Sequence, residues 1–204
     1  MFTSNVKKTS FEALFLSFVY KRFEIFFELK FFAEKSLNMS LNNFMHSRNI
    51  YRTKPNFAEM AKTYPSFARF VRTDLKGKVV FDYNDCNALR ELTKTLLKKD
   101  FGLEVDIPED RLIPTVPQRL NYILFVEDLM STLSQFLGND GKEVIGLDVG
   151  TGSVAIFPLI GCTVNKNWNF LAVDIDPKNI EIASNNVNKN GLNHRIKSEL
   201  STDD

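Results

Sequence analysis

A chain of 204 residues, 44% apolar and 25% charged, has room for one domain or one and a half and the composition of an ordinary soluble globular protein. Its formal net charge of +1 excludes a polycation, so any nucleic-acid footprint must be a local patch. Two cysteines, Cys86 and Cys162, lie far apart without C-x-x-C spacing. They exclude a disulfide framework and a zinc knuckle and favour a reducing intracellular compartment.

Residues 1–38 hold nine of the 19 Phe, among many charged residues. The uncharged run Ala13 to Tyr20 is too short to span a bilayer, which needs ~20 apolar residues. Lys21-Arg22 follows it where a signal peptide would place small residues. Either this is a helix aromatic on several sides, or the native chain starts at Met39 or Met45, where the composition changes. Residues 1–38 are set apart as an extension outside the functional reading.

Residues 45–72 are basic, with Arg48, Arg52, Lys54, Lys62, Arg69 and Arg72 against Glu59, and Tyr51, Phe57, Tyr64, Phe67 and Phe70 interleaved. Cations neutralise phosphates and aromatic faces stack on unpaired bases. The alternative is a solvated helix whose core face is Tyr64, Phe67, Phe70 and Val71, at helical spacing. Gly77–Tyr83 reads as a short strand after a turn. Asp85 caps a helix with Ala88, Leu89, Leu92, Leu96 and Leu97 on one face, closed by Lys98-Lys99 and stopped at Phe101-Gly102. Pro108 and Pro114 hold the next stretch extended. A helix then runs from Thr115 and Pro117 to about Leu137. Arg119 sits in its first turn, where the dipole disfavours a cation, so it is an ordinary exposed arginine or it has an acidic partner or ligand.

From Glu143 onward strands alternate with helices. Val144–Val149 is a buried-type strand, Gly150–Ile160 a loop and helix, Asn169–Asp174 a second strand, and Pro177–Asn190 a second helix capped by Asp176 and stopped by Gly191. Ile196 opens a third strand. The pattern predicts an α/β fold with a parallel, doubly wound sheet. Only two full strand–helix units are present, so a truncated product or partial gene is expected.

The stretch "GLDVGTGSVA" meets G-x-G-x-x-A, a weak signal shared by nicotinamide dinucleotide and S-adenosylmethionine sites. Asp148 separates the two. A carboxylate aimed at the loop would repel a pyrophosphate by on the order of several kcal/mol in a partly dry site. It would instead help hold the ammonium of S-adenosylmethionine. The alternative for Asp148 is a capping or turn aspartate. Asp174, ending the second strand, stands where an acid meets ribose hydroxyls of either cofactor.

Three segments, "MHSRNIYRTKPNFAEMAKTYPSF", "KDFGLEVDIPEDRLIPTVPQRLNYILFVEDL" and "GLDVGTGSVAIFPLIG", together resemble the methyltransferase-like protein 16 family over about Met45 to Lys197. "RLIPTVPQRLNYI" carries most of the likeness, because it is no generic methyltransferase motif. The resemblance implies a Rossmann-like class I S-adenosylmethionine-dependent methyltransferase sheet at 141–204, preceded by a mainly helical region at 39–140 that includes a basic arm. It implies an adenine-N6 RNA methyltransferase, acting on U6 small nuclear RNA and structured messenger hairpins, in the nucleus or also the cytoplasm. Bacterial relatives act on ribosomal RNA. It implies cofactor contacts from Arg119, Gly150, Gly152 and Asp174 beside Asp148, and RNA contacts from Arg48, Arg52 and Lys54, with neither metal nor membrane. The family's acid at the Asp174 position is mostly glutamate, one methylene longer. Its Asn-Pro-Pro-Phe motif, which accepts the adenine amine's hydrogens and stacks on the flipped base so that the amine attacks the methyl carbon in line, is missing. The chain is therefore expected to be an inactive fragment of an enzyme. The rival readings are a non-catalytic RNA-binding module and a nicotinamide-dependent oxidoreductase.

Overall fold

The computed structural model describes residues 45–137 and 143–201, all within one compact unit that spans 44–204; the Phe-rich stretch 1–38 lies outside the described residues.

Side-chain caps set several helix starts. Asn49 opens a 3-10 turn, Ile50–Arg52, by accepting from the Tyr51 N–H. Asn56 caps α1 (Phe57–Thr63) by accepting from the Glu59 N–H. The face expected to run on from Tyr64 to Val71 is broken. Pro65 disfavours helical geometry at the residue before it, and Tyr64 is extended (φ −119°, ψ 96°). A short α2 (Pro65–Ala68) follows, and then Val71 enters β1 (Val71–Thr73). The turn at Asp74–Gly77 returns the chain to β2 (Val79–Phe81), antiparallel with Val71 opposite Phe81. The rings of Phe57, Phe67 and Phe81 pack within 5.7 Å of one another. Phe67 is fully buried and Tyr51 nearly so. Tyr51, Phe67 and Phe81 are therefore core residues, with the half-buried Phe57 packed against them.

Asp85 caps α3 (Cys86–Phe101), and Gly102 ends it at φ 68°, in the left-handed region. Residues 103–108 then run extended, with Leu103, Val105 and Ile107 buried in alternation; the stretch expected to stay extended to Pro114 turns at 109–110, where the Arg111 N–H donates to the Pro108 carbonyl at 3.3 Å. α4 (Val116–Leu137) follows, and its first turn closes on the Thr115 carbonyl.

β3 (Val144–Val149), β4 (Trp168–Asp174) and β5 (Ile196–Leu200) form a sheet in the order β3-β4-β5, with the parallel pairing the alternating pattern predicts, but β3 is not the buried-type strand expected: Ile145, Leu147 and Val149 are 64–77% exposed, so one face of it is uncovered among the described residues. α5 (Ile156–Val164) and α6 (Pro177–Lys189) make the crossovers. α5 packs on β3 and β4 and is backed by α3 and α4. Gly146 of β3 and Gly161 of α5 make a slot for the Phe170 ring: a Cβ on either would stand 2.6 and 2.8 Å from ring atoms, respectively.

The extended segment is lashed to α6. The Asn186 side chain accepts from the Asp106 N–H and donates to the Asp106 carbonyl (2.7 and 3.0 Å), and Asn190 does the same at Glu104 (2.8 and 2.8 Å). Two carboxamides one turn apart thus take the place of a neighbouring strand. Lys189–Asp106, Lys178–Asp110 and Arg111–Asp176 ion pairs extend the seam to the start of α6.

Candidate functional site

Parallel strands leave their ligand-facing groups at their carboxyl ends, and there the chain gathers Asp148, the glycine loop and Asp174. Gly150 and Gly152 have φ of 75° and 65°, which a side chain would resist, so the turn off β3 needs both. The Gly150 and Thr151 N–H groups donate to the Val173 carbonyl, at 2.8 and 3.0 Å. The Gly152 N–H donates to Asp174 Oδ2 at 2.8 Å, and Asp174 Oδ1 accepts from the Asp176 N–H at 3.0 Å. Burial pushes the Asp174 carboxyl up, but these two N–H groups and the Asn179 side chain outweigh it and hold it below the usual carboxylate range. The acid ending β4 is thus the post to which the loop is tied.

Asp148 does not cap a helix. α5 begins only at Ile156, after Ala155 in the left-handed region (φ 52°), and has no side-chain cap. Asp148 instead accepts from the Thr151 hydroxyl at 2.7 Å. Burial pushes its carboxyl above the ordinary value; the Thr151 bond and the Arg119 charge pull it part of the way back. The start of α5 is itself covered, with Ser153, Val154, Ala155 and Ile156 all 6% exposed or less.

Arg119 reaches this cleft from the first turn of α4. Its guanidinium lies 5.2 Å from the centre of the Phe157 ring, near enough to Asp148 to feel its charge. Burial pulls its pKa below the ordinary value, and the Asp148 charge only partly offsets this. Its Nε is buried without an acceptor, and it makes no ion pair within 4.0 Å among the described residues. A half-buried cation without a carboxylate is costly unless a ligand supplies one. Asp176 is the cap of α6, accepting from the Lys178 N–H.

The three basic-arm residues lie apart from this cleft. Arg48 donates to Glu127 and Asp128 of α4, both at 2.6 Å, while His46 meets Asp128 at 2.7 Å and the His46 N–H donates to Asn121. Arg52 donates to the Met45 carbonyl, and Lys54 lies 5.9 Å from the centre of the Phe57 ring. By contrast Arg52, Lys54, Lys62, Arg69, Arg72, Lys76 and Lys78 are all exposed and in no ion pair among the described residues. Sequence reasoning missed Phe157 as the shelf under Arg119. It also missed Thr151, although a hydroxyl three residues after an aspartate is a recognisable local bonding pattern. Cys162 is buried, its thiol pushed up to about 11 by burial, and it packs as core. Among the described residues no acid, His and Cys cluster could hold a metal ion, and no helix is long and apolar enough to cross a membrane.

A sequence model of a family described as RNA methyltransferase matches residues 39–204. The chain is 48% identical over 159 residues to the U6 small nuclear RNA (adenine-(43)-N(6))-methyltransferase of Caenorhabditis elegans, which covers 78% of this chain and 32% of that one. It is 46% identical over 162 residues to the human RNA N(6)-adenosine-methyltransferase METTL16, covering 78% and 28%. The chain thus spans about a third of the length of the curated relatives it matches. Among solved structures, the N-terminal domain of human METTL16 in complex with SAH superposes with a TM-score of 0.71 at 44% identity, covering 78% of this chain and 60% of that one. The hMettl16 catalytic domain in complex with MAT2A 3'UTR hairpin 6 gives 0.69 at 45% identity, covering 77% and 53%.

Proposed function

The chain belongs to the RNA methyltransferase family matched over residues 39–204, and on that premise we propose that it binds S-adenosylmethionine in the Arg119 cleft and serves in adenine-N6 methylation of structured RNA, with U6 small nuclear RNA as first candidate. The observation that carries this is the Arg119 guanidinium, drawn out of water beside Asp148 with an orphaned Nε and no carboxylate partner. The groups present fit the cofactor's amino-acid end: Arg119 for its carboxylate and Asp148 for its ammonium. When bound, the cofactor supplies a methyl group activated by a sulfonium. Asp174 keeps the glycine loop closed and has carboxylate lone pairs left for a ribose hydroxyl. The Phe157 ring lies beside the guanidinium, 5.2 Å from its centre. The sequence contains no Asn-Pro-Pro-Phe, and no residue is assigned to the acceptor adenine.

The exposed, unpaired cations between Arg52 and Lys78 give RNA a place to run, and relatives named for U6 small nuclear RNA make the nucleus the proposed location. Calorimetry tests the core of the reading. SAH should bind the chain and NAD should not. Binding of NAD without SAH would end it.

A further inference from the structure

A second opening, of about 450 Å³, lies between α3 and residues 107–109, and none of its lining residues belongs to the Arg119 cleft. Its floor is Arg90, only 9% exposed. The guanidinium donates to two neutral acceptors, Asn87 Oδ1 at 2.8 Å and the Glu109 carbonyl at 3.3 Å. Its Nε is buried without an acceptor, and no carboxylate stands within 4.0 Å of it among the described residues. A guanidinium this deeply buried thus bonds only to neutral groups, which leaves it short of a direct ionic partner. Lys94, one turn further along α3, faces the same opening and has no ion pair either. Phe70 and Pro108 contribute apolar walls.

We propose that this opening is a second anion site, taking a nucleotide phosphate on Arg90 and Lys94 with the nucleotide's organic body against Phe70 and Pro108. An RNA strand is the source this assigns, which rests on the RNA methyltransferase reading. Guanidinium geometry suits two phosphate oxygens at once, and Lys94 adds a point charge beside it. Glu91 and Glu109 also line the opening. Their charges oppose the ligand and select against a loosely held anion.

The test is binding of a labelled single-stranded RNA over a range of salt, with AMP and inorganic phosphate as competitors. Lys94→Gln, which removes the charge and keeps most of the side chain, should weaken RNA binding roughly three- to tenfold at low salt and reduce the salt slope by about one. Arg90→Lys should do the same or more, and Glu91→Gln with Glu109→Gln should tighten binding. SAH affinity should stay unchanged in all of them. AMP binding that depends on Lys94, with RNA binding indifferent to it, would overturn RNA as the source. Equal RNA affinity and slope in every variant would overturn the site while leaving the family reading intact. Loss of SAH binding by the unaltered chain would count against the family reading alone.

Discussion

Two regions lie against α4, and an arginine stands at each contact, one from the helix itself and one from the arm. At its first turn Arg119 lies on Phe157 and near Asp148, with no carboxylate within 4.0 Å among the described residues. Further along, Glu127 and Asp128 grip Arg48 from both sides, and His46 closes on Asp128. The resemblance makes both of them ligand contacts, Arg119 for the cofactor and Arg48 for RNA. Their protein partners differ: Arg119 has no carboxylate within 4.0 Å among the described residues, whereas Arg48 is ion-paired to two and docks the arm on the helix.

Four variants break or sharpen that contrast. Arg119→Ala should lower SAH affinity about 10- to 100-fold, the value of a charge-assisted hydrogen bond of ~1.5–3 kcal/mol, with little change in thermal midpoint. A large drop in midpoint with affinity intact would make Arg119 a strut and erase the contrast. Asp148→Asn should act in two directions. Cofactor affinity falls roughly tenfold, while the apo protein becomes more stable at neutral pH. The sign follows from the raised carboxyl. Its penalty is absent below the unfolded pKa, grows as pH rises through the folded one, and is complete above it. The midpoint gain should therefore vanish in acid, and a gain independent of pH would contradict the burial argument.

Arg48→Ala should leave SAH affinity alone. Its half-exposed ion pairs contribute ~0.2–1 kcal/mol each, so the effect should appear as faster proteolysis or amide exchange at residues 45–52. The smallest effect is expected from Glu127→Gln with Asp128→Asn, which frees Arg48. RNA affinity at low salt should rise a few-fold and the salt slope steepen by about one. If neither moves, Arg48 is an anchor for the arm and not a phosphate contact.

Local signals were legible in the sequence. Asp85, Asp176, Pro177 and Gly102 mark helix ends because a cap or a left-handed residue acts within four positions. The loop after β3 and the acid after β4 were legible for the same reason. What was not legible depends on partners distant along the chain. The helical spacing from Tyr64 to Val71 concealed a break at Pro65 and a strand that exists because β2 returns to pair with it. Asp174 looked like a ribose ligand, and its hold on the Gly152 N–H appears only when β3 and β4 lie side by side. Nothing in Asn186 or Asn190 as letters announces that each completes the backbone bonding of an extended segment some eighty positions earlier.

The slot around Phe170 makes three positions a single steric unit. Gly146 and Gly161 flank one ring from a strand and a helix, so neither can gain a methyl group unless the ring gives way. Relatives should exchange these positions together: any carrying alanine at 146 or 161 should show a smaller residue at 170, and an alignment with bulk at all three would require a different path for the chain behind the glycine loop.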